Sequence, residues 1–85
     1  MQLSLELIDI AVRDKQVHPR LQGRITGHVR ALLSEDDGAH SQTHDLTIAV
    51  WADLPQDANE AHTDMALMVK AAGIIARLKR RLAGR

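Results

Sequence analysis

The chain has 85 residues, no cysteine, a single tryptophan and neither phenylalanine nor tyrosine, and its eleven Lys and Arg balance eleven Asp and Glu. That length fits one small domain, and 45 % hydrophobic residues at zero net charge exclude a disordered chain. Disulfide frameworks and Cys-based zinc sites are ruled out, no apolar run nears the ~20 residues of a membrane helix, and the polar–apolar alternation at the start is not a secretory signal, so a cytoplasmic domain is expected.

The first element is a strand over Met1–Arg13. Leu3, Leu5 and Leu7 alternate with Ser4 and Glu6, the period-2 signal of a half-buried strand. The phase then switches to Ile8, Ile10 and Val12, which points to a β-bulge near Leu7–Ile8 or to a second buried face. Asp14 to Pro19 is polar, ends in proline and reads as a connection.

A second strand is expected over Arg20–Ser34. Leu21, Ile25, Val29, Ala31 and Leu33 share one face, with Gly23 and Gly27 interleaved. Gln22, Arg24, Thr26, His28 and Arg30 take the other. Glycines inside a strand permit a bend or a close approach. Glu35 to Gln42 forms an acidic loop whose Asp37-Gly38 pair favours a hairpin turn.

The third strand, Thr43–Leu54, has the clearest alternation. Leu46, Ile48, Val50, Ala52 and Leu54 alternate with Thr47, Ala49, Trp51 and Asp53, and Pro55 ends the run. One long helix follows over Asp57–Ala83. Asp57 with Glu60 three residues on fits a capping box, and Asp64 marks a second start. Leu67, Ala71, Ile74, Leu78 and Leu82 recur at helical spacing, widened by Met68, Ala72 and Ile75. Acids early and bases late suit the helix dipole, and Gly84 supplies a stop.

Strand, strand, strand, helix with short polar links predicts an α+β fold. A three-stranded antiparallel meander carries the helix across one face. The inward set is Leu21, Ile25, Val29, Leu33, Leu46, Ile48, Val50 and Leu54, against the helix stripe. Eleven Leu, six Ile, five Val, three Met and twelve Ala must build the core without large rings. A domain this small buries only about 60 % of its unfolded surface, so self-association is a sensible expectation. Both sheet edges are open to pairing with another chain.

Trp51 is the most informative side chain. By alternation it stands on the sheet face away from the helix, beside Arg24, Thr26, His28 and Arg30. Trp51, Arg24, His28 and Arg30 are therefore the interface candidates, since buried aromatics and arginines anchor interfaces. The same ring suits base stacking. The plainer alternative has it cover a core edge or pack beneath the stems of Arg24 or Arg30.

His40, His44 and Asp45 lie close in sequence, with His62 and Asp64 further on. No HExxH pattern occurs and the acidic loop lacks calcium-loop spacing, so no metal is expected. There is no cysteine nucleophile, no GxSxG elbow and no phosphate-binding glycine loop. Ser34 and Ser41 have histidines nearby in sequence but no triad pattern. Neither enzymatic activity nor a cofactor is expected. Arg77, Lys79, Arg80, Arg81 and Arg85 hold five of the eleven basic residues. They form either a nucleic-acid or ribosome contact or a solvated helix end that suits the dipole.

The stretch Asp37-Gly38-Ala39-His40-Ser41-Gln42-Thr43-His44-Asp45-Leu46-Thr47-Ile48-Ala49-Val50-Trp51-Ala52-Asp53, followed by the helix from Asp57 to Leu78, resembles one segment of small tailed-phage tail-completion and tail-terminator proteins. The shared pattern is a polar Gly-containing loop, a strand ending in Val-Trp, a polar turn and an Ala-rich amphipathic helix. It covers about half the chain. This chain departs from the family pattern in lacking a helix before the sheet and strands after the helix. The resemblance implies a non-enzymatic structural protein at a tail or neck junction. The final strand and helix are also faintly similar to the end of ribosome-hibernation factors, without the helix that follows their first strand.

Two functions follow as expectations. The first is an assembly protein, homo-oligomeric through its sheet edges or the Trp51 face, with other structural proteins as further partners and no membrane. The alternative is a nucleic-acid or ribosome-binding module using the basic helix end with Arg24, Arg30 and Trp51.

Overall fold

The computed structural model describes residues 4–83. Three strands, β1 (Ser4–Val17), β2 (Arg24–Asp36) and β3 (Ser41–Asp53), precede one helix, α1 (Glu60–Ala83). They form a single antiparallel sheet in the order β1-β2-β3, and α1 packs on one face. This is the βββα meander expected from the alternation. The expected strand start at Met1–Leu3, the Gly84 stop, Arg85 and the Leu82 side chain lie outside the described residues.

The β2–β3 register runs unbroken from Arg24 opposite Asp53 to Asp36 opposite Ser41. The β1–β2 register slips twice, between Leu7 and Asp9 and between Val12 and Asp14. The first slip leaves Ile8 unpaired, which is the bulge implied by the phase switch at Leu7–Ile8. The second leaves Arg13 unpaired and corrects the expected strand end. β1 runs on to Val17 because Lys15, facing the helix, is neutralised there. Its ammonium bonds to Asp64 and lies 3.2 Å from Glu60 Oε1.

The β2–β3 turn is tighter than the sequence alone indicated, whereas the β1–β2 connection is shifted along the chain to residues 18–23. The β2–β3 turn is only residues 37–40, closed by Asp37 Oδ1 accepting from the N–H groups of Ala39 and His40 at 3.0 and 2.7 Å. Gly38 sits there at φ +92°, a left-handed angle that side chains resist. Leu21 lies in the β1–β2 connection and is exposed, and Leu54 falls just past β3, half-buried. Neither belongs to the core expected of them.

The buried set is Val29, Ala31, Leu33, Val50, Ala52, Leu67, Ala71 and Ile75. Three of these eight are alanines, so few large side chains exclude water. On the helix, Leu67, Ala71 and Ile75 face the sheet as expected, but Leu78 is exposed. The helix start is also corrected. Asn59, not Asp57, is the cap: its Oδ1 accepts from the His62 N–H at 2.8 Å. Asn59→Ala is expected to lower stability by about 1 kcal/mol in chemical denaturation, the usual cost of a lost N-cap.

Candidate functional site

Residues opposite one another in an antiparallel pair share a face. The register therefore puts Arg24, Thr26, His28 and Arg30 of β2 together with Trp51 and Asp45 of β3 and Asp14 of β1, on the face away from α1. The four interface candidates do share one surface.

The basic side chains on that surface already have acidic partners. Arg24 Nε lies 2.7 Å and Nη2 3.0 Å from the two oxygens of Asp53, a two-pronged contact. Arg30 Nη2 donates to Asp45 Oδ2 at 2.7 Å, and its Nε lies 3.0 Å from Oδ1. His28 Nδ1 lies 2.9 Å from Asp14 Oδ1. Asp45 stood out in the sequence only beside His40 and His44, and none of the three carboxylates was read as a partner of these bases. Alternating charges on neighbouring strands are the signal, but only the register says which acid meets which base.

Arg24 also lies over Trp51, its Cζ 3.9 Å from the ring centroid. From the helix side, Lys70 brings its Nζ to 4.6 Å from the same centroid. Both are cation–π distances. Lys70 reaches round the β3 edge from α1, so face-by-face reading of the sequence does not place it beside Trp51. The ring remains about half exposed, at 47 %. An open depression of about 300 Å³ adjoins it, with Asp14, Gln16, Thr26, His28 and Ala49 in its wall.

Hydrogen bonding sets the acid-base character of this face. The Arg24 guanidinium holds the Asp53 carboxyl below its ordinary value of 3.8, and Arg30 does the same for Asp45. In the β2–β3 turn the His40 and Ala39 N–H groups, in that order, lower Asp37. A carboxyl held low when folded adds stability that is complete above its unfolded pKa and is lost as pH falls through the folded one. Because these carboxyls are exposed, the thermal midpoint should drop only modestly on their account as pH falls below about 4. The Asp45→Asn/Asp53→Asn variant should flatten that drop, which a pH series of thermal melts will check.

The other candidates separate. His44, on the helix face, lies 3.0 Å from Glu35 Oε2, while Asp45 faces the opposite way to Arg30. His62 belongs to the first turn of α1 and Asp64 is bonded to Lys15. Thus these side chains engage different partners and gather into no ligand cluster among the described residues. Among the described residues no serine or threonine hydroxyl bonds to a histidine ring.

Arg77, Lys79, Arg80 and Arg81 extend along the end of α1 and enter no ion pair among the described residues. They lie toward the end of the sheet that carries the acidic β2–β3 turn, because Ile75, one turn earlier, packs on Leu33 near the end of β2.

Among the described residues no helix is long and apolar enough to cross a membrane. No family model, curated protein or solved structure matches the chain.

Proposed function

We propose that this chain is a non-enzymatic assembly protein that works as a self-associated unit in the cytoplasm. The observation that carries this reading is surface area. The chain exposes 6327 Å², whereas a compact monomer of 9.4 kDa exposes about 5000 Å². The excess, about 1300 Å², follows from the elongated form. The radius of gyration is 15.1 Å and the extents are 48 × 21 × 18 Å, against about 12 Å for a compact chain of this length.

Much of that surface is apolar. Leu7, Ile8, Val17, Met65 and Val69 are all exposed. No disulfide reinforces the fold. In a domain with so small a core, oligomerisation is the remaining way to bury more. The resemblance of Asp37–Leu78 to tail-completion and tail-terminator proteins supports a structural role in a phage tail or neck. The two sheet edges and the half-exposed Trp51 face are open to contact.

A second reading rests on the four helix-end cations that lack an ion-pair partner among the described residues. They suit phosphate groups of a nucleic acid or ribosome. The paired arginines of the sheet face and the nearby acidic turn weigh against it.

Sedimentation velocity over a concentration series separates the two. Self-association predicts a sedimentation coefficient that rises with concentration, and a fixed monomer value overturns it. A titration with single- and double-stranded RNA at low salt tests the second reading, because phosphate contacts are strongest there. Absence of binding at low salt ends it.

A further inference from the structure

The two flanks of α1 differ in a way that selects one of them for contact with a second copy. On the β3 side the helix presents Lys70 and Arg77, which border a cleft with Ala49, Val50, Trp51 and Ile74. On the β1 side it presents Ala72, Ala76 and Ile75, which with Leu7 line an open groove of about 420 Å³ rimmed by Lys79 and Arg80. Helical spacing continues that side toward the helix start through Met68 and Met65 to Asp64. Asp64 is fixed there by Lys15 of β1.

Met65 and Val69 are 58 % and 61 % exposed, and Ile8, the unpaired bulge residue of β1, is 57 % exposed. The solvent side of α1 is thus apolar where an amphipathic helix carries its charges. The sequence pattern conceals this, because apolar residues on both sides of a helix read as one widened stripe.

We infer that a second copy of this chain docks on the β1 flank of α1, the two helices antiparallel about a two-fold axis near Ala72. This rests on the self-association proposed above and names its surface. Size is the first argument. The two-fold puts Met68 of one copy against Ala76 of the other and Ala72 against its own counterpart, so a flexible thioether enters the alanine-lined groove from each side. Every contact is made twice, as an isologous interface requires.

Charge is the second argument. The flank is acidic at its start, with Glu60 and Asp64 beside Lys15. It is basic at its end, with Lys79 and Arg80. Antiparallel pairing sets each acidic end by the basic end of the other copy. The same symmetry on the β3 flank sets Lys70 against Arg77 of the other copy, like charge against like. Area is the third argument. The surface excess of about 1300 Å² leaves room for the roughly 800 Å² that a standard interface takes from each partner. Two bulges distort the β1 edge, so contact runs through side chains and needs no continuation of the sheet.

The chain has no cysteine of its own, which permits single-cysteine cross-linking on the full chain. Ala72→Cys is expected to form a disulfide-linked dimer on mild oxidation, since the axis brings the two Cα atoms within about 7 Å. Lys70→Cys, on the other flank, is expected to stay uncross-linked. Ala76→Glu is exposed and helix-compatible, and it should weaken dimerisation at least about tenfold in sedimentation with an unchanged circular dichroism spectrum. A dimer that cross-links through Lys70→Cys, or through neither position, overturns the surface while self-association stands. A monomer at every concentration overturns both.

Discussion

Leu67→Ala is expected to be among the most damaging single substitutions in the chain. Leu67 and Val29 are the largest side chains fully shut off from solvent, and Leu67 sits where α1 meets β2 and β3. Its neighbours Ala52 and Ala71 are too small to close over the lost isopropyl group. A buried Leu→Ala change costs about 2–5 kcal/mol, more where the surroundings do not collapse. A chain of this length has a total stability of roughly 4–13 kcal/mol. Urea unfolding at low protein concentration should thus show a markedly lower midpoint or no folded baseline. If the folded form is also the form that self-associates, mass action adds a second signature. The variant's midpoint should rise with protein concentration by more than its circular dichroism baseline error. A midpoint within error of wild type would mean that the helix does not depend on this contact.

The sheet was legible because alternation survives wherever one face is buried. Val29, Ala31 and Leu33 on β2 and Val50 and Ala52 on β3 all lie where period-2 spacing puts them. The same logic placed Trp51 opposite α1. It broke down at β1 beyond Arg13, where a charged residue faces inward. Lys15 is tolerated because its acid partners come from a helix 45 and 49 residues further along. No local pattern carries that information. The cap at Asn59 was missed for a related reason. Asp57 and Glu60 meet the capping-box spacing, but the turn after Pro55, in which the Ala58 N–H donates to the Pro55 carbonyl, uses residue 57 before the helix begins.

At the candidate site the residues were readable and their electrostatics were not. Arg24 and Arg30 were expected as cations offered to a partner, with His28 beside them as a further contact. In the fold each has its own carboxylate, so the face is closer to neutral than the basic side chains imply. Exposed pairs of this kind add little to stability. Their effect is on recognition: a partner must either fit the existing pattern or separate an ion pair to bind. That constraint falls hardest on nucleic acid and least on an apolar surface, such as the Leu7, Ala72 and Ala76 lining of the groove on the β1 flank of α1.

Gly27→Ala is expected to cost more than replacement of the glycine that holds the β2–β3 turn. Gly27 lies in mid-strand, buried, opposite Lys15 on one side and Val50 on the other. A Cβ at this position would overlap the Asp14 carbonyl oxygen and crowd the Lys15 Cα at 3.2 Å. Both obstacles are backbone, brought close by the second bulge, and neither can rotate away. A methyl group there must push β1 off β2 or remove the bulge. Overpacking of this kind costs typically about 1–3 kcal/mol, and occasionally more. At Gly38 a Cβ meets nothing within 4 Å, so Gly38→Ala bears only the left-handed backbone penalty, about 1–2 kcal/mol. Losing the bulge also moves Lys15 off Asp64, and with it the acidic start of the α1 flank that faces the second copy. Chemical denaturation should therefore rank Gly27→Val below Gly27→Ala, and Gly27→Ala below Gly38→Ala. Dimerisation measured at a temperature where all three remain folded should weaken for the Gly27 variants alone. Equal dimerisation in the three would detach the bulge from the contact surface.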